Sequence, residues 1–163
     1  MNYSIESACI IDAAAITEIY NHYIRETVIT FELTEITSSE MESRMERTMK
    51  TYPWFVIKVD GKLLGYAYAT AWRERKAYAA TAETTIYLAP EAIGKGLGKP
   101  LYDALINKMK EDQFHVLMGV IALPNPESAA LHERLGFSKA AHFSEVGFKF
   151  NRWVDVGYWQ MIL

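Results

Sequence analysis

The sequence predicts an α/β domain with a mixed, mostly antiparallel central sheet flanked by helices. Three observations point there. The elements read in the order β-α-α-β-β-β-α-β-α-β-β along 163 residues, without an internal repeat or low-complexity stretch. Asp60-Gly61 between two apolar runs is a strong two-residue hairpin signal, so the middle of the chain is antiparallel. Ile86 to Leu105, IYLAPEAIGKGLGKPLYDAL, carries a strand end through a glycine-dense loop into a helix, and this half returns by crossover.

In chain order, Ser4 to Ile10 alternates weakly and reads as a first strand, and Asp12 can cap a helix whose apolar Ala15, Ile16, Ile19, Tyr20 and Tyr23 follow the 3.6 period. Arg25 to Thr34 is β-branched and holds Phe31; it can be extended without being a regular strand. Ser39 with Glu42 reads as a capping box for a helix to about Met49, in which Met41, Met45 and Met49 form a core-facing stripe. Trp54 to Val59 and Lys62 to Trp72 are the hairpin strands, Arg73 to Lys76 a charged loop, and Ala79 to Leu88 the strand that delivers the chain to the glycines. Pro100 suits a first helical turn, ahead of Leu101, Ala104, Leu105 and Met109 at helical spacing. His115 to Ala122 is strand-like and ends at Pro124-Asn125-Pro126; Glu127 to Leu135 is a short helix closed by Gly136. From Phe137 the chain is strand-like to Ile162, with turn signals at Gly147 and Asn151.

Half of the residues are hydrophobic and 13% aromatic, which suits a single domain spanning residues 1–163. A net charge of −3 without a basic block argues against nucleic acid or an anionic membrane as partner. The opening MNYSIESACIIDAAA lacks a basic flank before a sustained apolar core, and no apolar run reaches a membrane span, so a soluble cytoplasmic protein is expected. Cys9 is the only cysteine, which excludes an internal disulfide, and it reads as a small core residue. The four histidines have no metal-ligand spacing, so no metal is expected.

Gly94, Gly96 and Gly98 free the backbone of side chains where it enters a helix, so that several N–H groups can converge as an anion cradle for a diphosphate. A plain flexible connector would share these glycines. The segment fits neither GxxxxGK[ST] nor GxGxxG, whose third glycine would come one residue later.

The loop does resemble the phosphate-binding loop of the GNAT superfamily of acyl-CoA-dependent N-acyltransferases, Q/R-x-x-G-x-G/A, laid on Ile93, Gly94, Lys95, Gly96, Leu97 and Gly98. Ile93 departs from the pattern, and Lys95 or Lys99 can restore positive charge nearby. Further stretches are similar to the phosphinothricin and methionine sulfoximine N-acetyltransferase branch of that superfamily: NHYI from Asn21, YPW from Tyr52, VDG from Val59, TAETTIYL from Thr81, GLG from Gly96, LPNP from Leu123, LHERLGF from Leu131 and VDVGYWQ from Val154. The resemblance implies the GNAT fold over nearly the whole chain and transfer of acetyl from acetyl-CoA to the α-amine of phosphinothricin, methionine sulfoximine or methionine sulfone within a ternary complex. It also implies a homodimer.

The same resemblance assigns roles. Glu83, in the TAE position, becomes the general base that takes the ammonium proton directly or through water; read alone, it is a solvent-facing strand acid. His132 stands where many family members have a Tyr that protonates the leaving thiolate, and an imidazole can serve near neutral pH; read alone, it hydrogen-bonds a helix neighbour. The coenzyme would pair with main chain of Ile86, Tyr87 and Leu88, the Leu88 N–H polarising the thioester carbonyl just after a bulged strand, and would meet Asn125 and Ser128. Arg73, Arg75 and Tyr78 would bind the substrate carboxylate or phosphinate, arginine's fork suiting either, although the run Arg73-Glu74-Arg75-Lys76 alone reads as a solvated loop. Thr30 and Phe31 would form a substrate wall, and Val156 would close the pocket from the C-terminal strand, within the chain or across a dimer interface. A GNAT enzyme for a polyamine or peptide N-terminus, or a non-catalytic acyl-CoA-binding module, are the competing readings.

Overall fold

The computed structural model describes residues 2–163. Its regular elements are β1 (Tyr3–Ser7), α1 (Ala13–Glu26), α2 (Ser38–Met49), β2 (Trp54–Val59), β3 (Lys62–Ala71), β4 (Thr81–Leu88), α3 (Gly98–Glu111), β5 (Val116–Leu123), α4 (Pro126–Leu135), β6 (Ser138–Lys149) and β7 (Arg152–Ile162), with short 3-10 turns between some of them. This is the order expected from sequence. Seven strands form one sheet in the order β1-β2-β3-β4-β5-β7-β6. Every neighbouring pair is antiparallel except β4 and β5, joined in parallel through α3.

Local chemistry sets the turns. Asp60 (φ 49°) and Gly61 (φ 79°) both take left-handed backbone, as a tight hairpin turn requires. Phe150 (φ 51°) and Asn151 (φ 57°) repeat that device between β6 and β7. Gly147 is not a turn: it lies inside β6 at a register shift, where a Cβ would collide with the Phe31 ring. Gly136 closes α4 in left-handed conformation, as expected.

Three local readings change. The cap of α2 is Thr37, whose Oγ1 accepts from the Glu40 amide at 3.1 Å, two residues before the Ser39 box. Asp12 does not cap α1; its carboxylate turns back to the Cys9 amide at 3.0 Å and pairs with Lys58 at 3.2 Å. Cys9, expected in the core, is exposed, because β1 ends at Ser7 and a 3-10 turn follows.

Tyr20 and Tyr23 of α1 pack on Tyr87 of β4, while Tyr102 of α3 bonds Thr84. Residues 84 and 87 of one strand face opposite sides, so α1 covers one face of the sheet and α3 the other. The methionine stripe is as read: Met41 and Met45 are buried in the same core as Ile16, Ile24 and Tyr66.

Candidate active site

The parallel pairing of β4 and β5 covers only Thr81↔Val116 to Thr84↔Gly119. Beyond it β4 continues to Leu88 against β3 alone, and β5 continues to Leu123 against β7 alone. The two strands therefore part in the middle of the sheet, leaving main-chain groups without a ladder partner on the inner edges. The register of β4 against β3 is unbroken, so this opening comes from separation of strands and not from a bulge in β4. A cavity of about 200 Å³ sits there, lined among others by Glu83, Thr85, Ile86 and Tyr87 on one side and Val120, Ala122, Asn125, Ser128 and Val156 on the other.

At the end of β4 the chain reaches the glycine turn. Gly94 (φ 77°) and Gly96 (φ 75°) have left-handed backbone with open space where a Cβ would be, a conformation that side chains disfavour by about 1–2 kcal/mol. Ile93 and Lys95 donate back to Pro90 and Ala92, each at 3.3 Å. Among the described residues, the amides of Gly96, Leu97, Gly98 and Lys99 have no main-chain acceptor, as the first turn of a helix dictates. Gly98 is needed for contact: a Cβ there would lie 3.3 Å from Leu131 of α4 and 3.5 Å from Leu88. These unpaired donors and the start of a 14-residue helix fit a diphosphate. Ile93 is 53% exposed at the rim, Lys95 is exposed, and Lys99 is paired with Asp103 at 2.6 Å.

Glu83 is half-buried on the cavity wall, and across the strand pair it neighbours Thr70. Burial raises its pKa above the usual carboxylate range, and the charge of Arg73 opposes that only in part. Among the described residues no group donates a hydrogen bond to it, which leaves the carboxylate able to accept a proton from a ligand. Arg73 itself lies over the Trp72 ring, 4.2 Å from its centroid. Arg73, Arg75 and Tyr78 are all exposed on the β3–β4 loop, and none of the three lines the cavity. Leu88, the last residue of β4, does not line the cavity; its carbonyl accepts from Tyr23 Oη at 2.6 Å.

His132 lies at the back of the cavity and is only 4% exposed. Its Nδ1 faces the Ser128 carbonyl at 2.7 Å and its Nε2 faces Tyr102 Oη at 3.1 Å. A carbonyl can only accept, so Nδ1 carries a proton; Nε2 and Tyr102 Oη share a hydrogen bond, and Thr84 Oγ1 meets that tyrosine at 2.6 Å and donates to the Met118 carbonyl at 3.4 Å. Burial lowers the imidazole pKa, which keeps the ring neutral near pH 7. Held at both nitrogens, the ring ties α4 to α3 and β4. Tyr102, Thr84 and Gly119 were missed from sequence; the signal was Gly119, a glycine inside an apolar strand, where a Cβ would stand 2.5 Å from His132 Nε2.

Asn125, expected at the cofactor, lines the cavity and also caps α4 by accepting from the Ser128 amide at 3.1 Å. Thr30 and Phe31 line the cavity from the segment between α1 and α2, and Val156 does so from β7 of the same chain.

A sheet parted between its two parallel strands, with a turn of unpaired amides following the first of them and a lone acid on the cavity wall, suits an acyl-transfer scaffold, and comparison with known proteins agrees. The acetyltransferase (GNAT) domain family matches residues 5–157, and the chain belongs to that family. Its relatives include the phosphinothricin N-acetyltransferase of Streptomyces viridochromogenes, 38% identical over 156 residues that cover 96% of this chain and 85% of the relative. The L-methionine sulfoximine/L-methionine sulfone acetyltransferase of Salmonella typhimurium is 36% identical over 93% of this chain and 90% of its own. Among solved structures, a phosphinothricin acetyltransferase of Sinorhizobium meliloti in complex with acetyl-CoA superposes with a TM-score of 0.97 at 38% identity, over 100% of this chain and 89% of that one.

Proposed function

We propose that the chain is an acetyl-CoA-dependent N-acetyltransferase that acetylates the α-amine of a small amino acid or analogue, phosphinothricin, methionine sulfoximine and methionine sulfone being the compounds to test, by direct transfer with both substrates bound. The observation that carries this reading is the parted β4/β5 edge, with Glu83 on its wall and free amides of the glycine turn at its end. The names of the relatives support the substrate class.

Bound acetyl-CoA would supply the activated acetyl group as a thioester. The amides of Gly96, Leu97, Gly98 and Lys99 would hold its diphosphate, and the inner edges of Ile86 to Leu88 would align its arm. The Leu88 amide is the candidate donor to the thioester oxygen, where negative charge develops. Glu83 would take the ammonium proton, directly or through water; its raised pKa brings it closer to that task than an ordinary carboxylate. No protein acid is assigned to the leaving group, since a thiolate with a pKa near ~8.5 departs readily. Arg73, which senses the charge on Glu83, would meet the substrate carboxylate, with Arg75 and Tyr78 joining from the exposed loop. Thr30, Phe31 and Val156 would enclose the side chain.

A homodimer belongs to this reading, supported by the exposed Val146, Phe148, Phe150 and Trp153 on the β6–β7 hairpin. Sedimentation of the pure protein tests it, and a monomer at micromolar concentration would refute it. Release of CoA thiol with each of the three amino acids, checked by the mass of the N-acetyl product, tests the activity. Acetylation confined to polyamines or peptide N-termini would replace the substrate class; no release with any amine would end the enzymatic reading.

A further inference from the structure

The cavity wall formed by Ile29, Thr30 and Phe31 belongs to a segment without regular structure, residues 27–37. No ladder or helix positions it, so side chains from elsewhere must. Val28 is buried with Ala122 and Val154. Thr30 Oγ1 meets Tyr20 Oη at 2.9 Å, and Glu32 accepts from both terminal nitrogens of Arg44 at 2.8 and 2.7 Å. Two further ties, both at Thr30 and Phe31, come from β6, more than a hundred residues away. Lys149 Nζ donates to the Thr30 carbonyl at 2.9 Å, and the Phe31 ring occupies the space a side chain at Gly147 would need.

Lys149 is unusual in being 2% exposed. A buried ammonium is costly unless it is paired, and among the described residues its one hydrogen bond runs to the main chain of the wall, with the Glu32 charge nearby and the Phe150 ring 5.1 Å away. Gly147 and Lys149 are alternate residues on the inward side of one strand, while Phe148 and Phe150 are exposed. Two points on one edge thus hold two consecutive residues of the wall. The lysine orients the Thr30 peptide, which aims the Thr30 and Phe31 side chains, and the glycine seats the ring.

We infer that Lys149 is a positioning residue for the amine substrate, acting through Thr30 and Phe31 and not on the coenzyme; the inference rests on the amino-acid acetyltransferase reading. Two readouts test it. Lys149→Met keeps length and loses the donor. Its amine KM should rise about tenfold, the size expected for a lost charge-assisted bond, with the acetyl-CoA KM within about twofold and kcat nearly kept. Hydrogen exchange of amides 29–33, read without any substrate, should accelerate about tenfold. Lys149→Arg should recover most of both effects. Equal rises in both KM values, or unchanged exchange in Lys149→Met, would overturn the assignment. Should that variant not fold, Lys149→Gln takes its place, with the same split between the two KM values expected and the same results counting against it. If the wild-type enzyme acetylates no amino acid, the activity reading fails on its own, and exchange alone decides whether the clamp exists.

Discussion

The two sides of the cavity are built by different means. The side proposed for the coenzyme is main chain: parted strand edges, a turn with two left-handed glycines, and the open amides of a helix start. The side proposed for the amine is side chain: an irregular segment held by Lys149, Gly147, Arg44 and Tyr20 from three other elements. A main-chain site tolerates exchange of a rim side chain such as Ile93, because its donors are not side chains. A side-chain wall has no such reserve, and each tie that is cut loosens it.

Substitutions that act on one side and spare the other test that contrast. The largest effect is expected at Glu83, proposed to take the amine proton: Glu83→Gln should lower kcat by about 10²–10⁴-fold while calorimetry finds acetyl-CoA affinity unchanged. In the wild type, kcat/KM should fall with unit slope as acid protonates Glu83, at a pH above the usual carboxylate range because burial raises its pKa; the Gln variant should lack that limb. Next is Gly96→Val on the main-chain side. A β-branched residue at φ 75° is strained, so the acetyl-CoA KM should rise about tenfold or more with the amine KM unchanged, the mirror image of the result expected at Lys149.

A smaller effect belongs to the His132 tie. Its pKa is lower in the folded than in the unfolded chain, so below about 6.5 the unfolded state binds more protons and stability falls as pH falls. The melting temperature should drop on acidification through that range, and His132→Gln, although less stable at pH 7, should show a weaker drop. An alkaline limb in the kcat profile that disappears in His132→Gln would instead support the acid role. Smallest is Ile93→Arg. It adds an exposed cation beside the diphosphate cradle and should lower the acetyl-CoA KM only a few-fold, as exposed charge pairs contribute about 0.2–1 kcal/mol.

How far each feature could be read ahead follows from the range of the forces that make it. The Asp60-Gly61 hairpin, the glycine turn and the Gly136 helix end were legible because each depends on φ values confined to a few adjacent residues. The cap of α2 was misplaced by two residues because Thr37, Ser38 and Ser39 all offer a hydroxyl, and only the actual helix start selects one. Gly147 was misread as a turn because a glycine that admits a distant ring looks the same in sequence as one that turns the chain. His132 had a motif but no visible surroundings, and those decide its proton: Tyr102 is thirty residues away along the chain, Thr84 still further.

The amino-acid order by itself determined the succession of elements, the glycine cradle and the acid in the strand before it, since periodicity, turn chemistry and glycine's freedom act between near neighbours. Only the tertiary structure decided that β4 and β5 part after four pairs, that His132 is enclosed and its pKa lowered by burial, and that a lysine 119 residues away holds Thr30. Those outcomes depend on which surfaces exclude water from which groups, and burial is a property of the assembled chain.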